Sequence, residues 1–211
     1  DHPALLNNLG LTREKVGDVA AAERCYRRAL EVSPDDVNAM ANLAQNLYQQ
    51  RRPKAAIPEF ERLVKRMPAA PAEIWANYGV SMRSVGNVMA AEPLVLRATE
   101  LSPDRPEPWR DLGSCRVAAK NWGGAAMAYA RAIELDPNGK DLFYNLGLVQ
   151  EKLGEIDEAI VAFKRYTELE TDTGELEKAI QTVRRLEGAR DELAKKKATE
   201  EAPKPEPPPR V

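Results

Sequence analysis

The chain has 211 residues, 43% of them hydrophobic and 30% charged, with a net charge of −2 at pH 7. Such a composition can bury a core, and the near-balanced charge gives no global reason to expect nucleic acid or an anionic membrane as partner. No apolar run approaches the ~18 residues needed to span a bilayer, and no secretory leader pattern opens the chain.

Asp1-His2-Pro3 runs into the first helical pattern without an initiating methionine, as expected of a processed chain or part of a longer one. His2 is the single histidine, with no second imidazole or cysteine pair near it, so no metal role is expected. A unit of 34 or 35 residues then recurs five times, over residues 3–36, 37–70, 72–105, 106–139 and 140–173. Each unit reads as two amphipathic helices around a tight turn. The first helix carries Leu9-Gly10, Leu43-Ala44, Tyr78-Gly79, Leu112-Gly113 or Leu146-Gly147. The second carries a small residue, Ala22, Ala56, Ala91, Ala125 or Ala159. A large one follows four positions on: Tyr26, Phe60, Val95, Tyr129 or Phe163. Pro34, Pro68, Pro103 and Pro137 close four of the units, where a helix must stop. Small residues let two helix backbones approach, and the large ones fill the gap between them. A single hairpin cannot bury enough surface to fold alone, so the copies must share an interior.

The second unit departs most from this pattern. Its turn is Arg51-Arg52-Pro53 with no glycine, and six basic residues face two acidic ones between Arg51 and Arg66. That run reads as a solvated outer helix in preference to a docking patch for an acidic partner. Pro58 and Pro93 fall early in second helices, where the missing N–H is expected to cost least. In the fourth unit Lys120-Asn121-Trp122 replaces the turn glycine, and Trp122 is expected to pack under its hairpin. Asp172-x2-Glu175 reads as a capping box. It opens a terminal helix over 174–197 with Leu176, Ile180, Val183, Leu186 and Leu193 on one stripe. Residues 198–211, with five prolines and mixed charge, read as a disordered tail.

These residues resemble the tetratricopeptide-repeat family, whose signature is W-x2-L-G, then alanine, an aromatic and a terminal proline over 34 residues. Trp75-x2-Tyr78-Gly79 and Trp109-x2-Leu112-Gly113 match it best. The resemblance implies an all-α fold, a right-handed α-solenoid of five helix-turn-helix repeats plus a C-terminal capping helix. Cys25 and Cys115 lie three repeat steps apart, roughly 25–30 Å at ~8–10 Å per packed helix. A disulfide spans about 7 Å at most, so both are expected to be small buried residues, which fits a reducing compartment.

No phosphate-binding glycine loop, C-x-x-C, H-E-x-x-H or G-x-S-x-G is present, and the commonest general base is missing but for His2. No enzymatic role and no cofactor are expected. The resemblance implies instead that the first helix of each repeat lines a concave groove binding a protein or peptide. Asn8, Asn42, Asn77 and Asn145 occupy one repeat position there, and a row of carboxamides can match a peptide backbone's N–H and C=O groups. Asp111 breaks the row and is expected to select a basic or donor-bearing side chain. Gln45, Tyr48, Arg83, Arg110 and Tyr144 complete the candidate groove, tyrosine and arginine being common interface anchors. A carboxylate clamp of the family's chaperone-binding type is not expected, because Asn7, Leu11, Glu73 and Asn77 stand at the relevant places. Self-association through the uncapped first repeat, or a regulatory array within a larger enzyme, are the alternatives.

Overall fold

The computed structural model describes residues 2–201, which form eleven helices and no strand. They are α1 (Pro3–Lys15), α2 (Val19–Val32), α3 (Val37–Gln49), α4 (Pro53–Arg66), α5 (Ala72–Ser84) and α6 (Val88–Leu101). After these come α7 (Pro106–Ala118), α8 (Trp122–Leu135), α9 (Lys140–Leu153), α10 (Ile156–Leu169) and α11 (Thr173–Glu201). The chain divides into one unit over Asp1–Pro137, holding α1 to α8, and a second beginning at Asn138, holding α9 to α11. Five hairpins begin at residues 3, 37, 72, 106 and 140.

Local chemistry sets the helix ends. Proline opens α1, α4 and α7, where its missing N–H is an orphan in any case. Asp18, Asp36 and Asn121 accept backbone N–H bonds at the starts of α2, α3 and α8. The turn within each hairpin passes through a left-handed residue, at Gly17, Arg51, Gly86, Lys120 and Gly154. Glycine adopts that conformation freely, whereas a residue with a Cβ is strained by roughly 1–2 kcal/mol. Pro58 and Pro93 are a correction to expectation. Their helices begin at Pro53 and Val88, so each proline is the sixth helical residue and removes a real hydrogen bond instead of an orphan donor.

Within a hairpin the two helices meet through the repeated residues. Ala22, Ala56, Ala91, Ala125 and Ala159 are fully buried, as are Tyr26, Phe60, Val95 and Phe163, with Tyr129 nearly so. At Gly79 an added Cβ would lie 2.4 Å from Val95 Cγ2 and 3.0 Å from the Ala91 carbonyl oxygen. Aromatic contacts carry the core of the first unit from hairpin to hairpin, Phe60 stacking on Tyr78 at 5.9 Å and meeting Tyr48 edge-on at 6.5 Å. In that unit α1 touches α3, α3 touches α5 and α5 touches α7, so the first helices form one continuous wall.

The second unit is closed by α11 packing on α10. Its buried stripe comprises Ala179, Val183 and Leu186, with Leu176 half-buried. Ile180 and Leu193, expected on that stripe, are 36% and 48% exposed; Ala179 is buried in their place as α11 packs on α10. Asp172 accepts from Glu175 N–H, giving half of the expected capping box. The other half belongs to Glu170, whose carboxylate takes the Asp172 and Thr171 N–H groups at 2.9 and 2.8 Å. The same carboxylate accepts from Lys140 Nζ at 2.8 Å and from the Tyr166 hydroxyl at 2.7 Å. The Lys140 bond first, then these others, hold the carboxyl of Glu170 down at about 2. The expected tail boundary at residue 198 is also corrected. α11 runs to Glu201 because alanine, lysine and glutamate propagate a helix; the rest of that stretch, 202–211, lies outside the described residues.

Candidate functional site: the inner wall of the first unit

The wall of first helices exposes what their packed faces do not use. Residues buried against second helices recur every three to four positions, which turns the intervening positions outward. On α3 this presents Asn42, Gln45, Tyr48 and Gln49, and on α5 Glu73, Asn77, Val80 and Ser84. Two clefts open there, and Tyr48 lines both. One, of about 460 Å³, is bounded by Tyr48, Gln49, Arg51, Pro53, Val80, Ser81, Arg83 and Ser84. The other, of about 320 Å³, includes Glu73, Asn77, Arg105, Glu107, Arg110 and Asp111.

The asparagines of the wall bond sideways. Asn42 Nδ2 donates to Asn7 Oδ1 at 2.8 Å, Asn77 Nδ2 to Gln45 Oε1 at 2.7 Å, and Gln45 Nε2 to Glu73 Oε1 at 2.8 Å. A carboxamide ladder thus ties each hairpin of repeats 1 to 3 to the next, and Asn42 and Asn77 have each committed a donor that was expected to meet a peptide. Asn8 lies exposed on α1. Tyr144 and Asn145 belong to the second unit, where Tyr144 contacts the Phe163 and Tyr166 rings at 5.7 and 5.2 Å.

Charge on the wall is mostly paired. Arg110 forks onto Asp111 Oδ1 at 3.3 and 3.1 Å, so Asp111 is already occupied and does not offer the bare carboxylate expected of it. Burial nevertheless outweighs Arg110 and raises the Asp111 carboxyl. Arg105 pairs with Glu107 at 3.0 Å. The basic run of α4 is neutralised as a solvated helix would be: Arg52 meets Glu23, Arg62 meets Glu59, Lys65 meets Glu61 and Arg66 meets Asp35. Burial first, then Asp111, raises the Tyr48 hydroxyl against the opposing pull of Arg110, Arg83 and Arg51. Behind the wall, burial pushes the Cys115 thiol up to about 11. Cys25, expected to be buried as well, is only half-buried.

Sequence reasoning missed two features. Asn7 and Asn46 are buried polar residues, and Asn46 Nδ2 reaches Glu14 Oε1 at 2.6 Å across hairpins one and two. Arg51 lines the larger cleft; its signal was a basic residue at a turn position where three other repeats have glycine. Among the described residues no group of three or more His, Cys, Asp or Glu side chains could hold a metal ion, and no helix is long and apolar enough to cross a membrane.

Helix hairpins repeated at this spacing, with an interior shared between neighbours, define an α-solenoid. The chain belongs to the tetratricopeptide-repeat family, whose profiles match residues 7–73, 116–154 and 141–173. It is 24% identical over 161 residues to tetratricopeptide repeat protein 8 of Caenorhabditis elegans, covering 75% of this chain and 32% of that one. The chain therefore spans about a third of the length of that curated relative. Among solved structures, MamA superposes with a TM-score of 0.75 at 23% identity, covering 79% of this chain and 91% of that one. YrrB, described as a TPR protein with an unusual peptide-binding site, gives 0.74 at 20% identity over 83% and 90%. At these identities the two structures share the fold.

Proposed function

We propose that the chain is a protein-binding scaffold, not an enzyme, and that the first-helix wall of its first unit holds an extended peptide from a partner protein. The observation that carries this reading is the pair of adjoining clefts around Tyr48, which draw groups from repeats 2, 3 and 4 onto one surface. An extended chain is the ligand shape that uses such a surface, because its groups repeat along a line as the wall's do. Asn42 and Asn77 keep their carboxamide oxygens for peptide N–H groups, and Asn8 keeps both ends of its carboxamide. Each such bond contributes only ~0.5–1.5 kcal/mol, so buried area around Tyr48 must supply most of the affinity. YrrB, similar in fold, is a TPR protein with a peptide-binding site, which fits the same use.

The test is fluorescence anisotropy with a pool of random labelled decapeptides on the intact chain. Tyr48→Ala should weaken binding at least ten-fold while circular dichroism stays unchanged. Unchanged affinity in that folded variant contradicts the reading. A second reading, self-assembly through the first hairpin, is favoured by Leu5 of α1 and Val16 just after it, which are 69% and 71% exposed. Light scattering with and without residues 1–36 tests it, a monomer at high concentration in both cases removing it.

A further inference from the structure

The second helices turn their free faces away from the first-helix wall, and in repeats 3 and 4 those faces carry no charge at their centre. Three outer positions recur on each second helix. They hold Arg24 and Arg27 beside Ala20 in repeat 1, Lys54 and Glu61 beside Pro58 in repeat 2, and Asp157 and Lys164 beside Val161 in repeat 5. On α6 the same places hold Met89, Pro93 and Leu96, and on α8 they hold Gly123, Met127 and Ala130. Met89 and Met127 are 86% and 74% exposed. Single exposed apolar residues are ordinary, but a run of them with no charge between is a patch.

The faces of α6 and α8 form one surface. Ala91 and Val95 of α6 and Ala128 of α8 share a buried cluster with Leu112 and Cys115 of α7. Arg116 of α7 donates from Nε to Glu92 of α6 at 2.9 Å and from Nη1 to the Gly124 carbonyl of α8 at 3.0 Å, which ties the starts of the two helices together. The charges at the margin are paired within the molecule: Arg97 with Glu100, Arg131 with Glu134 and Glu92 with Arg116. Charge therefore favours a neutral partner over an acidic or a basic one.

We propose that this face pairs with the same face of a second copy of the chain, across a two-fold axis running along the helices. The pairing goes beyond the peptide-binding reading and leaves the first-helix wall free. Such an axis sets α6 of each copy over α8 of the other, so equivalent repeat positions meet. Met89 then sits over bare backbone at Gly123, Leu96 over Ala130, and the flexible Met127 over the ring of Pro93. Each level sets a large side chain against a smaller one, as packed interiors do. Nothing lies within 4 Å of a Cβ built at Gly123, so the seat for Met89 is open in the single molecule. Charge is self-complementary as well, because each copy brings a neutral face, an already paired margin and a net charge of only −2. Helices of 14 residues are ~21 Å long and ~10 Å wide. Two of them present roughly 400 Å² per copy, so a pair buries about 800 Å², below the ~1,200 Å² of standard interfaces. The dimer is accordingly weak and forms only as concentration rises.

Sedimentation velocity on the intact chain, over roughly a hundred-fold range of concentration, should show a monomer passing to a dimer and to nothing larger, because a two-fold contact closes on itself. Met127→Lys alters a side chain outside the core. It should weaken the dimer at least ten-fold with circular dichroism unchanged, since each change counts twice in the pair. Gly123→Leu should weaken it at least ten-fold by filling the seat of Met89. Met89→Ala combined with Gly123→Leu exchanges large for small and should restore the dimer to within about three-fold of the parent. A monomer at every concentration, or growth past a dimer, overturns the proposal. So does a Gly123→Leu variant that associates as well as the parent or better, the mark of unspecific apolar sticking. A dimer indifferent to Met127→Lys but lost in Leu5→Lys moves the contact to the first hairpin and overturns the outer face. Flotation with phosphatidylcholine vesicles that Met127→Lys abolishes assigns the face to lipid and also overturns the pairing.

Discussion

Replacing Gly79 by alanine tests whether the hairpins are held at glycine-limited distance. The new methyl would lie 2.4 Å from Val95 Cγ2, 3.0 Å from the Ala91 carbonyl oxygen and 3.2 Å from the Val95 nitrogen. A methyl carbon could give way, but the other two atoms are backbone of α6 and retreat only if the helix itself shifts. Alanine gains ~0.8–1.0 kcal/mol over glycine in helix propensity, whereas overpacking costs ~1–3 kcal/mol. Because the obstacle is backbone, strain wins, and a net loss of ~1–2 kcal/mol is expected. Trp75, Trp109 and Trp122 all lie in the first unit, so urea unfolding followed by tryptophan emission reports on the unit that contains the substitution. Gly123→Ala, where nothing lies within 4 Å, is the matched control and should gain up to ~1 kcal/mol. Adding Val95→Ala to Gly79→Ala should cost less than the sum of the single changes, with a coupling of ~0.5–3 kcal/mol. A Gly79→Ala midpoint at or above that of the parent would refute the packing reasoning.

Three further outcomes follow from single contacts. Glu170 is held at about 2 in the folded chain against an ordinary 4.5, so its contribution to the second unit is complete above pH 4.5 and disappears as pH falls toward 2. Glu170→Gln should lower the stability of that unit at pH 7 and flatten its loss between those values, as measured by thermal melts across pH. Asn46→Ala removes a fully buried carboxamide that holds Glu14 and Gln50, and should cost ~1–3 kcal/mol in urea unfolding; a value near zero would show that water replaces it freely. The Cys115 thiol, buried and pushed up to about 11, should resist an aromatic disulfide reagent at pH 8 while half-buried Cys25 reacts.

The hairpins were legible in the sequence because the rules that place them are local. Leu112-Gly113, Ala125, Tyr129 and Pro137 each act within one repeat, and their spacing alone locates both helices and the turn. The inner wall was legible in part. Helical periodicity turns Gln45, Tyr48 and Asn77 away from the packed face, and each of the three is half-buried. What an outward carboxamide bonds to depends on the offset between hairpins, and periodicity within one helix says nothing of that offset. Asn42 therefore meets Asn7 and Asn77 meets Gln45, although all four asparagine positions read alike. The same limit hid Ala179, whose inward place over Ile180 follows from how α11 packs on α10. Arg51 was visible as a departure from glycine, but only the folded turn places it on the lining of the cleft.

The most direct measurement of the central claim is a proton–nitrogen NMR titration of the intact chain with the random decapeptide pool. Shifts should concentrate on α3, α5 and the start of α7, at Tyr48, Asn77, Ser81 and Asp111, and leave the outward faces of α4 and α6 unmoved. Shifts confined to those second helices, with the first-helix wall silent, would contradict the account.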